Sequence, residues 1–514
     1  MAAPNPVRED ELKFTVHALF ALPDLAAPDD GIASVVERPK QSLRATYYDA
    51  PDLRLAREGI TLRHRSGEGS PVWTLKLPAG VSGGGGQGNS AGAAGGLSRD
   101  ELNVPGPARE VPTELADLLI AWLRGAPVGP VATLRTSRST WVLCGPAGEE
   151  LAEVVDDSVS VLEGRQVLER FREIEVELVG LGGDATAEVR RRLVEAGANE
   201  ANPLPKVVRA LGPRAVAPSE VPVVVAVQAS DPASALVVNA VRASVRRLLL
   251  SDIGVRRRSD DGVHQMRVSC RRLRSDLKTF RPLIEPLWGE ALRTELAWLA
   301  NALGDARDLE VLRERLRGVV QREPTLPYDE VAFARLDDGL VRREQAALER
   351  AAEALESERY RRLLDVLVDA AREPVLVPAA SERCSEVLPP LVRKAWTGLQ
   401  KRADRLQPDD PDDAWHEARI KAKQARYAAE AVIDVLGRPA ARLASAAKAV
   451  QEVLGDHQDA AIAAEVLVDL AGEHPDDGSV GFVAGRLAEW NRGDVARTRR
   501  DFPAVWKQST KLAR

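Results

Sequence analysis

Glu9, Glu11 and Lys13 alternate near the start of the chain. On an extended segment alternate side chains share a face, so two carboxylates and an ammonium point together, as a metal carrying phosphate requires. Arg63 and Arg65 alternate against Leu62 and His64, and Lys76 stands opposite Trp73 and Leu75. Arg135 and Arg138 follow, then Glu153, Asp156 and Asp157, then Glu173, Glu175 and Glu177 opposite Ile174, Val176 and Leu178. Aligned carboxylates repel one another unless cations lie between them, which marks a second acidic cluster suited to a metal. Lys206 and Arg209 end the series. Arginine captures phosphate through several planar hydrogen bonds and lysine acts as a point charge. The inventory therefore fits neutralisation of charge on a transferring phosphoryl group. Neither a Ser/His/Asp pairing nor a positioned cysteine emerges for covalent catalysis.

A second pattern occupies residues 263–280, where His264, Arg267, Arg271, Arg274 and Lys278 fall on one helical stripe. At about 3.6 residues per turn they lie within a wedge of roughly 80°. Val268, Cys270, Leu273, Leu277 and Phe280 supply apolar anchors that hold the basic face in one direction. Such a face suits phosphate, sulfate or carboxylate. His416, Arg419, Lys423 and Arg426 repeat the spacing, and each histidine is followed by an echo, LGDARD at 303–308 and LGDHQD at 454–459. Two copies at matched spacing argue for a duplicated helical half in which two basic helices face each other. An arginine one turn after each histidine favours phosphate contact over metal ligation. Asp305, Asp308, Asp456 and Asp459 in the echoes are expected either to orient the basic helices through ion pairs or, the preferred reading, to cap helix N-termini.

These residues need scaffolds of two kinds. A chain of 514 residues suggests about two to four domains. Residues 1–211 read as short strands separated by turns, with helices near 111–124 and 185–196. Residues 80–96 are a Gly, Ser and Ala run that no Gly-Lys-Ser/Thr closes, hence a flexible insertion and not a phosphate loop. Residues 212–234, rich in proline and valine, read as a linker. From 235 to 514 nearly everything is helical, with segments at 235–251, 289–303, 328–356, 391–406 and 437–454. Breaks are expected at Pro324, Pro327, Pro374, Pro378 and Pro408.

Composition narrows the partners. Lys plus Arg (71) fall short of Asp plus Glu (77), and the net charge of -6 argues against indiscriminate nucleic-acid binding. The basic excess is local, with nine Lys or Arg against three Asp between Val255 and Arg281. Cys144, Cys270 and Cys384 form no Cys-x-x-Cys pair, so no zinc or disulfide framework is expected. No leader pattern or long apolar run is present, and the expected setting is cytoplasmic, without a membrane partner.

Glu9-x-Glu11-x-Lys13, Leu62-Arg63-x-Arg65, Thr74-Leu75-Lys76, Arg138 three before Trp141, and Glu175-x-Glu177-Leu178 together resemble the CYTH family, the triphosphate tunnel metalloenzymes, over residues 7–212. The resemblance implies an antiparallel eight-stranded barrel with a charge-lined bore. It implies phosphate binding by Arg63, Arg65, Lys76, Arg138 and Lys206, and places Lys13 near the scissile end with Glu9 and Glu11 as catalytic partners. Mg²⁺ or Mn²⁺ would be held by Glu9, Glu11, Glu175, Glu177 and one aspartate. Asp156 and Asp157 compete for that place, with Asp156 preferred. Pro205 stands where the family often has serine before the lysine.

The opening helix, the histidine helices and the two echoes resemble the CHAD family over residues 230–510, a helical bundle associated with inorganic polyphosphate. The whole chain is then an α+β multidomain protein: a β tunnel with flanking helices, then an all-α bundle of two repeated halves with a basic cleft. The expected activity is metal-dependent hydrolysis of inorganic triphosphate or a related triphosphate, with polyphosphate bound by residues 235–514 at raised effective concentration. Polyphosphate granules are a candidate location. One alternative is a polyphosphate-binding scaffold whose barrel turns over slowly or not at all. Another is nucleotide cyclisation, which needs a base pocket beside the tunnel.

Overall fold

The computed structural model describes residues 7–67, 69–78, 97–200, 205–259, 261–322 and 329–513. The glycine-rich run at 80–96 and the breaks expected at Pro324 and Pro327 lie outside the described residues. Two compact units form: Met1–Glu220 with Leu249–Gly262, and Val221–Leu248 with Val263–Arg514.

The first unit holds strands β1 (Val7–Val16), β2 (Ser34–Glu37), β3 (Gln41–Asp49), β4 (Thr61–Ser66), β5 (Val72–Pro78), β6 (Leu97–Pro105), β7 (Gly129–Cys144), β8 (Glu150–Glu163) and β9 (Gln166–Leu178). They pair antiparallel in the order β7-β3-β4-β5-β6-β1-β9-β8, and β8 pairs back onto β7. The ring of eight strands expected from the sequence therefore closes, and β2 adds a short ninth strand to β7. Gly148 (φ 83°) and Gly164 (φ 59°) make the tight turns around β8, in a region where a side chain is strained.

Strand alternation sorts the residues. Leu12, Phe14, Val154, Ile174 and Val176 point outward into a core completed by Val189 and Leu193 of helix α1 (Gly183–Glu195). Each such burial contributes about 1.5–3 kcal/mol. Inside, one end of the ring is filled by Tyr47, Leu134, Val159, Val161 and Phe171, packed against Val207 and Val208 of α2 (Lys206–Leu211). The helix expected at 111–124 is present as a continuous but irregular helical segment, an α turn (Thr113–Ala116), a 3-10 turn (Asp117–Leu119) and a second α turn (Ile120–Leu123), ending where Arg124 takes a left-handed φ of 47°.

The remaining helices are α3 (Ala233–Arg256), α4 (Gly262–Thr279), α5 (Pro286–Ala302), α6 (Gly304–Arg322), α7 (Glu330–Glu356), α8 (Glu358–Arg372), α9 (Cys384–Ala403), α10 (Asp412–Glu430), α11 (Arg438–Gly472) and α12 (Gly478–Leu512). α11 and α12 are 35 residues each, about 52 Å long. They take part in two cores, one with α6 and α7 around Leu316, Leu336 and Leu467, the other with α9 and α10 around Trp396, Trp415 and Phe502. The duplicated histidine helices are α4 and α10. α4 is anchored by Met266, Cys270, Leu273, Leu277 and Phe280, whereas α10 buries Ala418, Ala422 and Ala425 beside Trp415.

LGDHQD does not start a helix but lies within α11, because the surrounding alanines outweigh the cost of about 1 kcal/mol for Gly455. Its His457 stacks on Trp415 at 5.0 Å between ring centroids and pairs with Arg499 Nε at 3.0 Å. Burial, then the charge of Arg499, pushes the His457 pKa from 6.5 down to about 4, against the pull of Asp412. A depressed histidine contributes stability above its unfolded pKa and loses it as pH falls through the folded value. The urea midpoint of the helical circular-dichroism signal should therefore drop between pH 6.5 and 4, by the equivalent of about 3 kcal/mol. His457→Ala, which copies Ala306 of the first repeat, should remove that component.

Candidate functional site

Glu11, Lys13, Arg63, Arg65, Lys76, Arg138, Glu175, Glu177 and Lys206 line one cavity of about 200 Å³ inside the ring. The side chain of Glu9, expected with them, lies outside those described. Most of the carboxylates come from β1, β6, β8 and β9 and most of the strand-borne cations from β4, β5 and β7, with Lys13 of β1 set among the carboxylates. Lys13 pairs across to Glu175 in the β1–β9 ladder, and its Nζ lies 2.5 Å from Glu175 Oε1 and 3.7 Å from Glu173. Lys206, at the first turn of α2, enters from outside the sheet, 2.7 Å from Asp157, 2.9 Å from Glu173 and 2.7 Å from Glu175. Arg138 donates to Asp157 from Nε at 2.9 Å and from Nη2 at 2.7 Å. On the facing strands Lys76 lies 2.6 Å from Glu101.

Burial opposes the charges of Lys13, Arg138, Asp157, Glu175 and Lys206, and their partners decide the outcome. Burial works against the Lys206 and Lys13 ammonium groups, but Glu175 and its neighbours hold both pKa values above the ordinary lysine value, Lys206 well above. The same burial works against the Glu175 carboxylate, which Lys13 and Lys206 keep well below the usual range. Asp157 is likewise depressed by Lys206 and Arg138 against its burial. All four are therefore charged at neutral pH.

One expected ligand is misplaced. Asp156 points to the outer face, where its carboxylate accepts from Arg172 at 2.6 and 2.8 Å. The aspartate in the interior cluster is Asp157, fully buried between Arg138 and Lys206. The strand period decides it: Asp157 stands four residues after the cavity-lining Glu153, so the two share a face. Tyr47, Glu101 and Glu153 also line the cavity, and the same parity rule would have found Glu101 and Glu153. Arg135, whose parity is opposite to that of Arg138, is exposed.

Among the described residues, no three His, Cys, Asp or Glu side chains surround one point as metal ligands. The donor set nevertheless fits a hard cation. Glu11, Glu177 and Glu153 are direct cross-strand neighbours on β1, β9 and β8, with Arg38 3.0 Å from Glu153, and three oxygen donors so placed suit a hard cation. Cys270, buried in α4 with its pKa pushed up to about 12, offers no thiolate for covalent chemistry.

In the helical unit the two basic stripes converge. Arg271 of α4 is depressed by burial and by the charges of Arg267 and Arg419, the latter on α10. Lys423 of α10 falls to about 7 through burial, then through Arg419, Arg271 and Arg267. Each repeat holds its outer arginine in the same way. Arg267 donates to Asp308 at 2.6 and 3.1 Å and lies over Gly304, and Arg419 approaches Asp459 at 3.7 Å over Gly455. The Gly-x-x-x-Asp spacing of the echoes thus seats an arginine, so for Asp308 and Asp459 the capping role is replaced by ion pairing. A Gly without a side chain leaves the guanidinium room to lie flat. His416 Nδ1 lies 2.7 Å from Gln458 Oε1, and His264 is half-buried on α4. Arg274 and Lys278 belong to a separate focus farther along α4, and Arg426 is tied to Glu430 at 2.6 Å.

The fold and the two charge arrangements define a triphosphate-tunnel type of barrel joined to a basic helical bundle. The family descriptions agree: CYTH domain matches residues 8–199 and CHAD domain residues 239–468. Two uncharacterized proteins of Mycobacterium tuberculosis, from strains CDC 1551 and H37Rv, are each 35% identical over 100% of this chain and 98% of their own length. The chain belongs to this CYTH–CHAD family. Among solved structures, PptA from Streptomyces chartreusis is 26% identical with a TM-score of 0.47, covering 54% of this chain and 100% of its own. The CHAD domain from the plant Ricinus communis is 26% identical with a TM-score of 0.46, over 57% and 96%. A candidate adenylyl cyclase from Hippeastrum that reveals a dominant triphosphatase activity is 15% identical with a TM-score of 0.24, over 40% and 98%. Among the described residues no helix is long and apolar enough to cross a membrane.

Asp156→Asn is expected to lower the unfolding free energy by about 1 kcal/mol, since Arg172 loses its charged partner but keeps its bonds to the Ala18 and Phe20 carbonyls. It should leave inorganic triphosphate affinity within about twofold in calorimetry, since Asp156 faces away from the cavity. A large loss of affinity would return Asp156 to the site.

Proposed function

We propose that the barrel hydrolyses inorganic triphosphate or a related triphosphate with Mg²⁺ or Mn²⁺, and that the helical unit binds inorganic polyphosphate along α4 and α10. The observation that carries the first part is the cavity of about 200 Å³ lined by both carboxylates and cations. It is below the roughly 300–1,000 Å³ of pockets for organic ligands, which favours a bare phosphate chain and hydrolysis over nucleotide cyclisation.

Arg63, Arg65, Lys76 and Arg138 bind and orient the phosphate oxygens through guanidinium and ammonium donors. Lys13 and Lys206, held by Glu175 without substrate, transfer their hydrogen bonds to the incoming anion. That exchange releases Glu175 to join Glu11, Glu177 and Glu153 as oxygen donors, so anion and cation sites become available together. Mg²⁺ or Mn²⁺ would supply charge neutralisation and help activate water. Burial excludes bulk solvent and strengthens each of these interactions.

Purified full-length protein should release phosphate from inorganic triphosphate with Mg²⁺ or Mn²⁺ and not with chelator. Lys13→Ala should lower the rate by about a hundredfold or more, as loss of a positioned charge at the reacting group does. No release with either metal, in protein that still binds polyphosphate, would favour the scaffold reading.

For the helical unit, the charge reversals Arg267→Glu and Arg419→Glu should weaken polyphosphate binding and flatten its salt dependence. Lys423, with a pKa of about 7 in the free protein, is mostly neutral at pH 8. A bound polyanion raises that pKa, so binding at pH 8 takes up a proton, and affinity falls as pH rises above 7. Calorimetry in buffers of different ionisation enthalpy measures the uptake, which Lys423→Met should abolish.

A further inference from the structure

A cavity of about 680 Å³ opens in the helical unit between the C-terminal end of α4, one face of α9 and the middle of α10. Lys278, Arg281, Arg393, Lys394, Lys401 and Lys421 all line it, and no aspartate or glutamate does. Among the described residues none of these six cations is ion-paired. In a chain with more carboxylates than cations, such segregation needs a reason. Like charges held together repel, and the Lys278 pKa is lowered by burial and then by Lys421, Arg293 and Arg274.

Ser275 also lines the cavity, with its Oγ buried and without a hydrogen-bond partner.

The walls are not uniformly polar. α9 buries Leu388, Val392, Trp396 and Leu399, while Pro390, Leu391, Lys394, Gly398 and Lys401, one turn apart on another face, meet the cavity. Pro282, Pro390, Leu391 and Ala395 put apolar surface among the cations, and Thr397 and Gln424 add neutral hydrogen-bonding groups. A bare phosphate chain has no use for such apolar surface. The volume falls within the roughly 300–1,000 Å³ typical of sites for organic ligands. Guanidinium planes such as those of Arg281 and Arg393 can also stack on a base.

We propose that this pocket is a second anion site, distinct from the focus of Arg267, Arg271, Arg419 and Lys423, and that it binds a nucleoside polyphosphate. The phosphates pair with the lysines and arginines, and the base and sugar rest against Pro282, Pro390, Leu391 and Ala395. This goes beyond the polyphosphate reading and does not depend on it.

The test is calorimetry on the full-length protein with chelator, using adenosine 5′-(β,γ-imido)triphosphate and, separately, inorganic imidotriphosphate. Two variants are compared with the native chain: Arg393→Ala/Lys394→Ala/Lys401→Ala, and Leu391→Glu. Both leave the barrel intact, so its own binding cancels in the comparison and metal-dependent phosphate release serves as a fold control. The triple variant loses only mutually repelling charges and should melt no lower than the native chain.

The expected result is a loss of nucleotide affinity of tenfold or more in both variants, with long-chain polyphosphate still bound through Arg267 and Arg419. Nucleotide affinity within twofold of native in the triple variant would overturn the proposal. So would an equal loss for nucleotide and imidotriphosphate in the triple variant with none in Leu391→Glu, since the pocket would then read phosphate alone. Failure of polyphosphate binding with nucleotide binding retained would count against the polyphosphate reading only.

Discussion

Charge removed from water must meet opposite charge, and the barrel is organised around that constraint. An ion carried into a protein interior loses several kcal/mol of solvation. The cluster of Lys13, Arg138, Asp157, Glu173, Glu175 and Lys206 survives because each member lies within ion-pair distance of a partner. The closed ring follows from the same need. An open sheet would leave the carboxylates of β8 and β9 without the cations of β4, β5 and β7, and no strand supplies Lys206 at all. It comes from α2, whose Val207 and Val208 are drawn into the apolar end of the bore. The apolar contacts therefore position the charge, and the charge makes the site.

The helical unit adopts the opposite solution. Its cations converge without enough carboxylates, at the meeting of α4 and α10 and again beside α9. Such repulsion is tolerable only because the opposite faces of these helices are locked into cores, with Cys270, Leu273 and Leu277 on α4 and Trp415 and a row of alanines on α10. Asp308 and Asp459 steady the outer arginine of each repeat and leave Arg271 and Lys423 to face each other's charge. Packing energy holds the positive field in place. The free energy of that repulsion is what an anion would relieve.

The two units thus suit related ligands by different physics. In the barrel, charges of both signs are already paired with one another inside the bore, so an anion and a cation would each find partners there. In the bundle, one sign accumulates on rigid helices, and the ligand supplies the missing one. The overall charge of -6 masks both arrangements, because net charge averages over surfaces that act locally.

Much of this was written in periodicity. The period-two placement of Glu11 and Lys13, of Arg63 and Arg65, and of Glu175 and Glu177 determined which groups share the bore, since a strand leaves no other choice of face. The helical stripe from His264 to Lys278 and its repeat from His416 determined two matched basic faces. Tertiary structure decided what local spacing leaves open. The aspartate in the cluster is Asp157 because the register of β8 against β7 and β9 fixes its face, and adjacent residues always point apart. Asp308 and Asp459 pair with arginines on other helices, a relation across about 40 residues that no capping rule contains. The pocket beside α9 exists only where three helices meet. Its cations come from three separate stretches, Lys278 and Arg281, then Arg393 to Lys401, then Lys421, and periodicity orders the faces of one element while packing alone brings the faces of different elements together.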